Sequence, residues 1–344
     1  MGSGKTTSFD IAHKAGVSQA TVSRALRDSP LVNPKTRERI KQIARELNYR
    51  VDRSAAGLRS QHSKTIALLL YEDPTTDDSQ INPFFLSLLG HITRTAAAEK
   101  YDVLISFQQL SDDWLHEYQI SNRADGMILL GYGNYAHMAA KLTRLSDEGA
   151  RFTIFGLSTA DLKGHTISGQ NLEGGELATK HLVSLGRKRI IFLGDASDEH
   201  PEFKLRYEGY CKAHQEAGLP IDPSLKILSE NQETAGYEAV AQLLESGLEF
   251  DALFAVTDLI AFGALKCLRK SGIKVPQEIS VVGFDDLPAA SYFSPSLTTI
   301  KQDTRLAAEA LVKNLIGMIK GEDVQSQQLP LFLKIRGSCG GRKT

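Results

Sequence analysis

The stretch DIAHKAGVSQATVSRAL, Asp10 to Leu26, breaks a helical pattern at one glycine and restarts it two residues later. Ile11, Ala12 and Ala15 recur at helical spacing, and Gly16 suits a helix C-terminus. Ser8 is a candidate N-cap for this first helix, and Ser18 caps a second, whose core positions are Val22, Ala25 and Leu26. Further on, Pro34 opens PKTRERIKQIARELNY, where Ile40, Ile43, Ala44 and Leu47 form one apolar stripe. Residues 1–50 thus contain three short helices, the first two joined by a tight turn, and no strand candidate. This is a helix-turn-helix pattern.

Charge sets this head apart from the rest of the chain. Residues 1–64 carry 13 Lys/Arg against 5 Asp/Glu, whereas the remainder carries 27 against 36. A positive head on a negative body implies a polyanionic partner for the head alone. In a helix-turn-helix unit the second helix enters the major groove of double-stranded DNA. Gln19, Thr21, Ser23 and Arg24 supply suitable donors and acceptors, and Arg24 matches the O6/N7 edge of guanine in bidentate fashion. Lys35, Arg37, Arg39, Arg45 and Arg50 are candidates for phosphate contacts, which position the protein without reading sequence.

The body reads as α/β. TIALLLY (65–71), YDVLISF (101–107), GMILLG (126–131) and RFTIFG (151–156) are strand candidates alternating with amphipathic helical stretches. KRIIFLG (188–194), LKILS (225–229), DALFAV (251–256) and ISVVGF (279–284) make a second series. Continuous apolar strands alternating with helices imply parallel sheets covered on both faces. Two series imply two doubly wound sheets facing each other, with a ligand cleft lined by loops at the carboxyl ends of the strands. The residues so placed include Glu72, Asp73, Gln108, Gln109, Tyr132, Phe155, Asp195, Asn231, Asp258 and Asp285, a polar and aromatic mixture suited to a hydroxyl-rich ligand.

Several alternatives fail on the same sequence. No run of about 18 apolar residues supports a membrane span, and the N-terminus has no apolar export segment, so the expected location is the cytoplasm. Cys211, Cys267 and Cys339 are widely spaced and in no CxxC pair, which opposes a disulfide framework or a zinc site. Gly2–Thr6 (GSGKT) lacks the strand and upstream glycine of a phosphate-binding loop. Gly131–Ala136 (GYGNYA) follows a strand, but no acidic residue ends the next one, as a dinucleotide site would require. His116–Ile120 (HEYQI) lacks the second histidine of a zinc-protease helix. Without a nucleophile elbow, metal set or phosphate loop, the chain is expected not to be an enzyme and to need no cofactor.

The motifs DIAHKAGVSQATVSRAL, VNPKTRERIKQIARELNY, NPFF, ADGMILLG, TDLIAFGALKCL, VPQEISVVGFDD and SPSLTTIKQ together resemble the lactose/galactose repressor (LacI/GalR) family of bacterial transcription regulators, in order along almost the whole chain. The resemblance implies an all-α helix-turn-helix head on an α/β body of periplasmic-binding-protein type. It implies a homodimer on a pseudo-palindromic operator, acting as a repressor under a small-molecule effector, a neutral mono- or oligosaccharide. Dimer contacts are expected on the helices starting near Leu86 and Leu259. The implied organisation is a DNA-binding domain at 1–50, a hinge at 51–63 with its helix at about 53–59, and an effector domain at 64–344. Within the last, the N-subdomain comprises about 64–163 and 297–326 and the C-subdomain about 164–296 and 327–344, with crossovers near Gly164, Ser296 and Gln327.

By position, Gln19, Ala20 and Arg24 carry base specificity in such proteins, and Leu58 falls where a leucine wedge enters the minor groove and kinks the duplex. Ser18, Thr21, Ser23, Asn33 and Arg37 complete the expected DNA-contact set. The family's usual Pro-Asn after the tyrosine is replaced by Val51 and Asp52. On the effector side, Arg206 and Asp258 are the two expected polar anchors, since a guanidinium facing a carboxylate satisfies adjacent sugar hydroxyls. Asp73, Phe84, Phe85, Gln108, Tyr132, Phe155, Asn231 and Asp285 complete that set. Asn231 stands where an aromatic platform is common, and Gln170 replaces the usual aspartate before Asn171.

Overall fold

The computed structural model describes residues 6–49, 62–71, 81–131, 135–156 and 164–341. The chain divides into two compact units, residues 1–63 and 64–344. The first contains α1 (Ser8–Ala15), α2 (Gln19–Leu26) and α3 (Pro34–Glu46). Thr7, rather than Ser8, caps α1: its Oγ1 accepts the Asp10 N–H at 3.4 Å while the Asp10 carboxylate accepts the Thr7 N–H at 2.7 Å. This reciprocal pair satisfies two otherwise orphaned amides, which a serine one position later could not do. Gly16 ends α1 in the left-handed conformation, φ +62°, and Ser18 caps α2 by accepting the Thr21 N–H. Ile11, Val22, Ala25 and Ile40 are fully buried where the three helices meet. The expected hinge, with Leu58, falls mostly on residues 50–61, outside the described residues.

The second unit is built on two six-stranded sheets. The first joins β1 (Thr65–Leu70), β2 (Asp102–Phe107), β3 (Gly126–Leu130), β4 (Phe152–Phe155), β5 (Thr166–Gly169) and β11 (Gln327–Leu329) in the order β11-β5-β4-β3-β1-β2, all parallel. The second joins β6 (Ile190–Leu193), β7 (Lys226–Ile227), β8 (Ala252–Ala255), β9 (Ser280–Asp285), β10 (Thr298–Gln302) and β12 (Leu331–Lys334) in the order β12-β10-β9-β8-β6-β7. Only β12 runs antiparallel there, against β10. The central strands β1, β3, β6 and β8 are buried along nearly their whole length, as continuous apolar runs demand.

Sheet membership places the crossovers after Gly169, Gln302 and Leu329, a few residues beyond the expected Gly164, Ser296 and Gln327. The strands β5 and β11 belong to the first sheet, and β10 to the second. Helices α4 (Pro83–Ala98), α5 (Tyr135–Asp147) and α10 (Thr304–Lys320) serve the first sheet, while α6 (Asn171–Ser184), α7 (Pro201–Glu216), α8 (Glu233–Ser246) and α9 (Asp258–Lys270) serve the second.

The helix pair α6–α7 of the second sheet packs at backbone distance. A Cβ on Gly175 of α6 would lie 2.1 Å from the Arg206 carbonyl oxygen of α7, and one on Gly209 would lie 2.1 Å from the Leu172 carbonyl oxygen. Only hydrogen at these positions permits so close an approach, which fixes where Arg206 stands.

Candidate functional site

In each sheet the strand order reverses once, between β1 and β3 in the first and between β6 and β8 in the second. Crevices at such points, beyond the strand carboxyl ends, are the standard ligand seats of open α/β sheets. Here a cavity of about 170 Å³ opens between the two sheets. Tyr71, Gly131 and Phe155 with its neighbour Gly156 line it from strand ends of the first sheet, joined by Asn82, Phe84 and Phe85 around the start of α4. His200, Glu202, Phe203, Arg206, Asn231, Thr257, Asp285 and Gln302 line it from the second.

The apolar wall is an aromatic cluster. Phe84 is buried against Phe155 with ring centroids 5.4 Å apart and meets Phe85 edge-on at 5.6 Å. Proline at the first turn and the Asn82 carboxamide, which accepts the Phe84 N–H at 2.9 Å, start α4 so that both rings turn to the cavity. Gly131 holds φ +77°, and a Cβ there would meet the Phe85 ring at 3.0 Å.

The polar wall centres on Arg206. Its Nε donates to Asn171 Oδ1 at 2.9 Å and its Nη1 to the Val256 carbonyl at 2.5 Å, while the guanidinium lies 3.6 Å from the Phe284 ring centroid. The planar group is therefore pinned before any ligand arrives. Asp285, only 7% exposed, accepts Gln302 Nε2 at 2.8 Å. Burial raises its carboxyl to about 6, against the opposing pull of the Arg206 charge and the Gln302 hydrogen bond. Asn231, which lines the cavity, accepts the Thr257 hydroxyl on Oδ1 at 2.6 Å, and its amide nitrogen has no hydrogen bond among the described residues.

Two expected effector residues have other work. Asp258 is fully buried behind the cavity wall, its oxygens accepting the Thr299 hydroxyl at 2.6 Å and the Leu287 N–H at 2.7 Å. Burial first, then the Asp285 charge, push its carboxyl well above the ordinary range. The carboxylate that partners Arg206 on the cavity is Asp285, and Asp258 ties α9 to β10 and the loop after β9. Gln108 is buried too, its Nε2 donating to the carbonyls of Leu69, Leu130 and Gly131 at 2.9 to 3.4 Å. It clamps the ends of β1 and β3 instead of lining the cavity. Asp73 and Tyr132 lie outside the described residues. Sequence reasoning missed Glu202 and Phe203, although both precede Arg206 at helical spacing on α7, and Gln302, which gave no signal in its strand.

On the first unit, Ala20 and Arg24 of α2 are exposed, and among the described residues no hydrogen bond or ion pair engages the Arg24 side chain. Thr21 is held by Ser18, while Ser23 Oγ accepts Arg27 Nη2 at 2.9 Å. Gln19 is half-buried, its Nε2 donating to Ser8 Oγ at 2.7 Å, where an outward side chain was expected. Asn33 caps α3 by accepting the Lys35 N–H. Arg37 folds onto the preceding loop, donating to the Asp28 carbonyl at 3.2 Å and lying 3.7 Å from its carboxylate, which Lys41 also engages. Its charge is thus partly spent within the protein.

The head matches the model of bacterial regulatory proteins of the lacI family over residues 9–52, and residues 179–339 match a periplasmic binding protein-like domain. The transcriptional regulator RegA of Clostridium saccharobutylicum is 31% identical over 324 residues, covering 93% of this chain and 94% of that protein. The chain belongs to the lacI family. As a lacI-family protein it is a helix-turn-helix DNA-binding transcription regulator with an effector-binding domain, in a family without enzymatic activity. The lac repressor dimer bound to operator and an anti-inducer superposes with a TM-score of 0.83 at 26% identity, covering 97% of this chain and 99% of that one. A CelR–cellobiose complex, also 26% identical with the same coverage, gives 0.71. No helix among the described residues is long and apolar enough to cross a membrane.

Proposed function

We propose that this lacI-family regulator is a homodimeric repressor that reads a pseudo-palindromic operator and responds to a neutral mono- or oligosaccharide bound between its two sheets. The observation that carries the effector class is the opposition of a pinned guanidinium, Arg206, and a buried carboxylate, Asp285, to the Phe84–Phe85–Phe155 wall. A sugar ring offers one apolar face for such a wall and an edge of adjacent hydroxyls for such a pair. Two acidic side chains, Glu202 and Asp285, line the cavity, which disfavours an anionic ligand. The cellobiose complex of a relative supports the sugar reading, and the operator complex of another supports the dimer.

A dimer face is available on the first sheet. Leu86 on α4 is 43% exposed and Ile105 on the edge strand β2 is 53% exposed, apolar area that a second copy would cover. Effector control follows from linkage: a ligand that favours one arrangement of the two sheets shifts DNA affinity only by its differential affinity for that arrangement. The three crossovers, after Gly169, Gln302 and Leu329, are where such a change is absorbed, and Gln302 lines the cavity itself.

A fluorescence titration of the full chain with DNA from upstream of its own gene, across a panel of neutral sugars, tests the reading. Specific binding that one sugar weakens or strengthens is expected. Binding to that DNA with no response to any sugar would overturn the effector class, and a monomer at working concentration would overturn the dimer.

A further inference from the structure

The first turn of α2 is held largely by contacts within the head. Ser18 binds Thr21, Arg27 binds Ser23, and Gln19 reaches back to α1. The last contact stands out because Ser8 has no structural need of it. Thr7 and Asp10 already cap α1, and Ser8 Oγ takes no part in that cap. A half-buried serine hydroxyl on one helix therefore receives the amide nitrogen of the first residue of the next, 2.7 Å away.

We propose that Ser8 is a positioning residue for base readout: by holding Gln19 Nε2, it leaves the carbonyl Oε1 as the group that Gln19 offers to DNA. This rests on the proposed role of Gln19 in base contact. A glutamine with both ends free pairs in bidentate fashion with adenine N6 and N7. One of the two amide hydrogens is spent on Ser8 and the nitrogen is anchored at α1, so the group left to meet the groove is the carbonyl, and the major-groove donors it can accept from are adenine N6 and cytosine N4. Gln19 then accepts adenine and cytosine alike at one base of each half-site and discriminates against guanine and thymine, whose groove edges offer it no donor. Ala20 beside it has no hydrogen-bonding group to sharpen that choice, and Arg24 is left to read its own base.

The test is selection of a pool of randomised DNA duplexes by the full-length chain, with sequencing of the bound fraction, for the wild type and for Ser8→Ala, Ser8→Thr and Gln19→Ala. In the wild type one base per half-site is expected to be adenine or cytosine, each favoured about fivefold over guanine and thymine, the worth of roughly one net hydrogen bond. Ser8→Ala frees the amide and should sharpen that position to adenine over cytosine, leaving the base read by Arg24 unchanged. Ser8→Thr keeps the hydroxyl and should keep the wild-type pattern, so that sharpening in Ser8→Ala and not in Ser8→Thr traces the effect to the hydroxyl that holds Gln19. If Gln19→Ala leaves every position unchanged, the base contact itself is wrong and the proposal falls with it. If Gln19→Ala erases one preference but Ser8→Ala does not alter it, Gln19 reads without help from Ser8. A wild-type preference for guanine or thymine there would mean that the amide nitrogen faces DNA, which also overturns the proposal.

Discussion

Arg24 in the last turn of α2 and Arg27 at its C-cap sit three residues apart, yet the fold treats them differently. Arg27 is folded onto Ser23, donating to its carbonyl and its hydroxyl, whereas Arg24 is exposed and its five donors engage no partner among the described residues. Arg24→Ala should therefore lose roughly 1 to 3 kcal/mol of discrimination at one base pair of the operator, measured by titration against single-base variants. An unchanged base preference would remove Arg24 from the readout. In the cleft, Asp285 ties stability to pH. Its carboxyl titrates near 6 in the fold and near 3.8 when free, so between those values the folded chain holds the proton that the unfolded chain has lost. Its stabilising contribution is full below the lower value and is lost as pH rises through about 6, a swing of roughly 3 kcal/mol. Denaturant unfolding from pH 4 to 7 should show this slope flattened in Asp285→Asn, and parallel curves for the two proteins would refute it. Asp285→Asn, like Arg206→Ala, should also abolish the sugar response while leaving DNA binding intact.

At the scale of elements, the pair α6–α7 shows how the packing aims a functional side chain. Arg206 meets Asn171 because α7 lies against α6 with no side chain between Gly175 and the Arg206 backbone. Gly175→Ala forces the helices apart, at a cost of about 1 to 3 kcal/mol for the overpacking. The sugar response should weaken beyond what the stability loss explains, because Arg206 moves away from Asp285. A calorimetric titration at a temperature where the variant is fully folded checks this, and an unaltered sugar affinity would mean that the helix contact is only structural. The same elements show what was legible in the sequence. The eight strands with apolar runs were found from those runs, which burial on both faces demands of β1, β3, β4, β6, β8 and β9 and which the edge strands β2 and β7 share. The strands β5, TISG, and β10, TTIKQ, were missed because they bury Thr166, Ser168, Thr298 and Thr299, whose polar atoms are satisfied by partners distant in sequence such as Ser326, Ser338 and Asp258. No local pattern announces such partners. For the same reason the crossovers were placed a few residues early, and of the two expected carboxylates it is Asp285 and not Asp258 that lines the cavity.

At the scale of the whole molecule, the head and the sensor are separate compact units, each with its own buried core. The cavity between the two sheets lies in the sensor, whereas the net positive charge lies in the head, so control requires that sensor rearrangement alter the affinity of the head. That requirement has a quantitative form. If the sugar changes operator affinity by some factor, the operator must change sugar affinity by the same factor, because both legs close one thermodynamic cycle. Couplings of about 5- to 150-fold are ordinary for such systems. Sugar titrations of the full-length chain, free and saturated with operator duplex at one salt concentration, should reproduce the factor measured by operator titrations with and without sugar. Salt must be held fixed, because the phosphate contacts of the basic head shift operator affinity steeply on their own. A sugar that binds the free chain and the operator complex equally well occupies the cleft without controlling the head. In that event the sheets would not be rearranged by their ligand, and the crossovers at Gly169, Gln302 and Leu329 would be static connections instead of hinges.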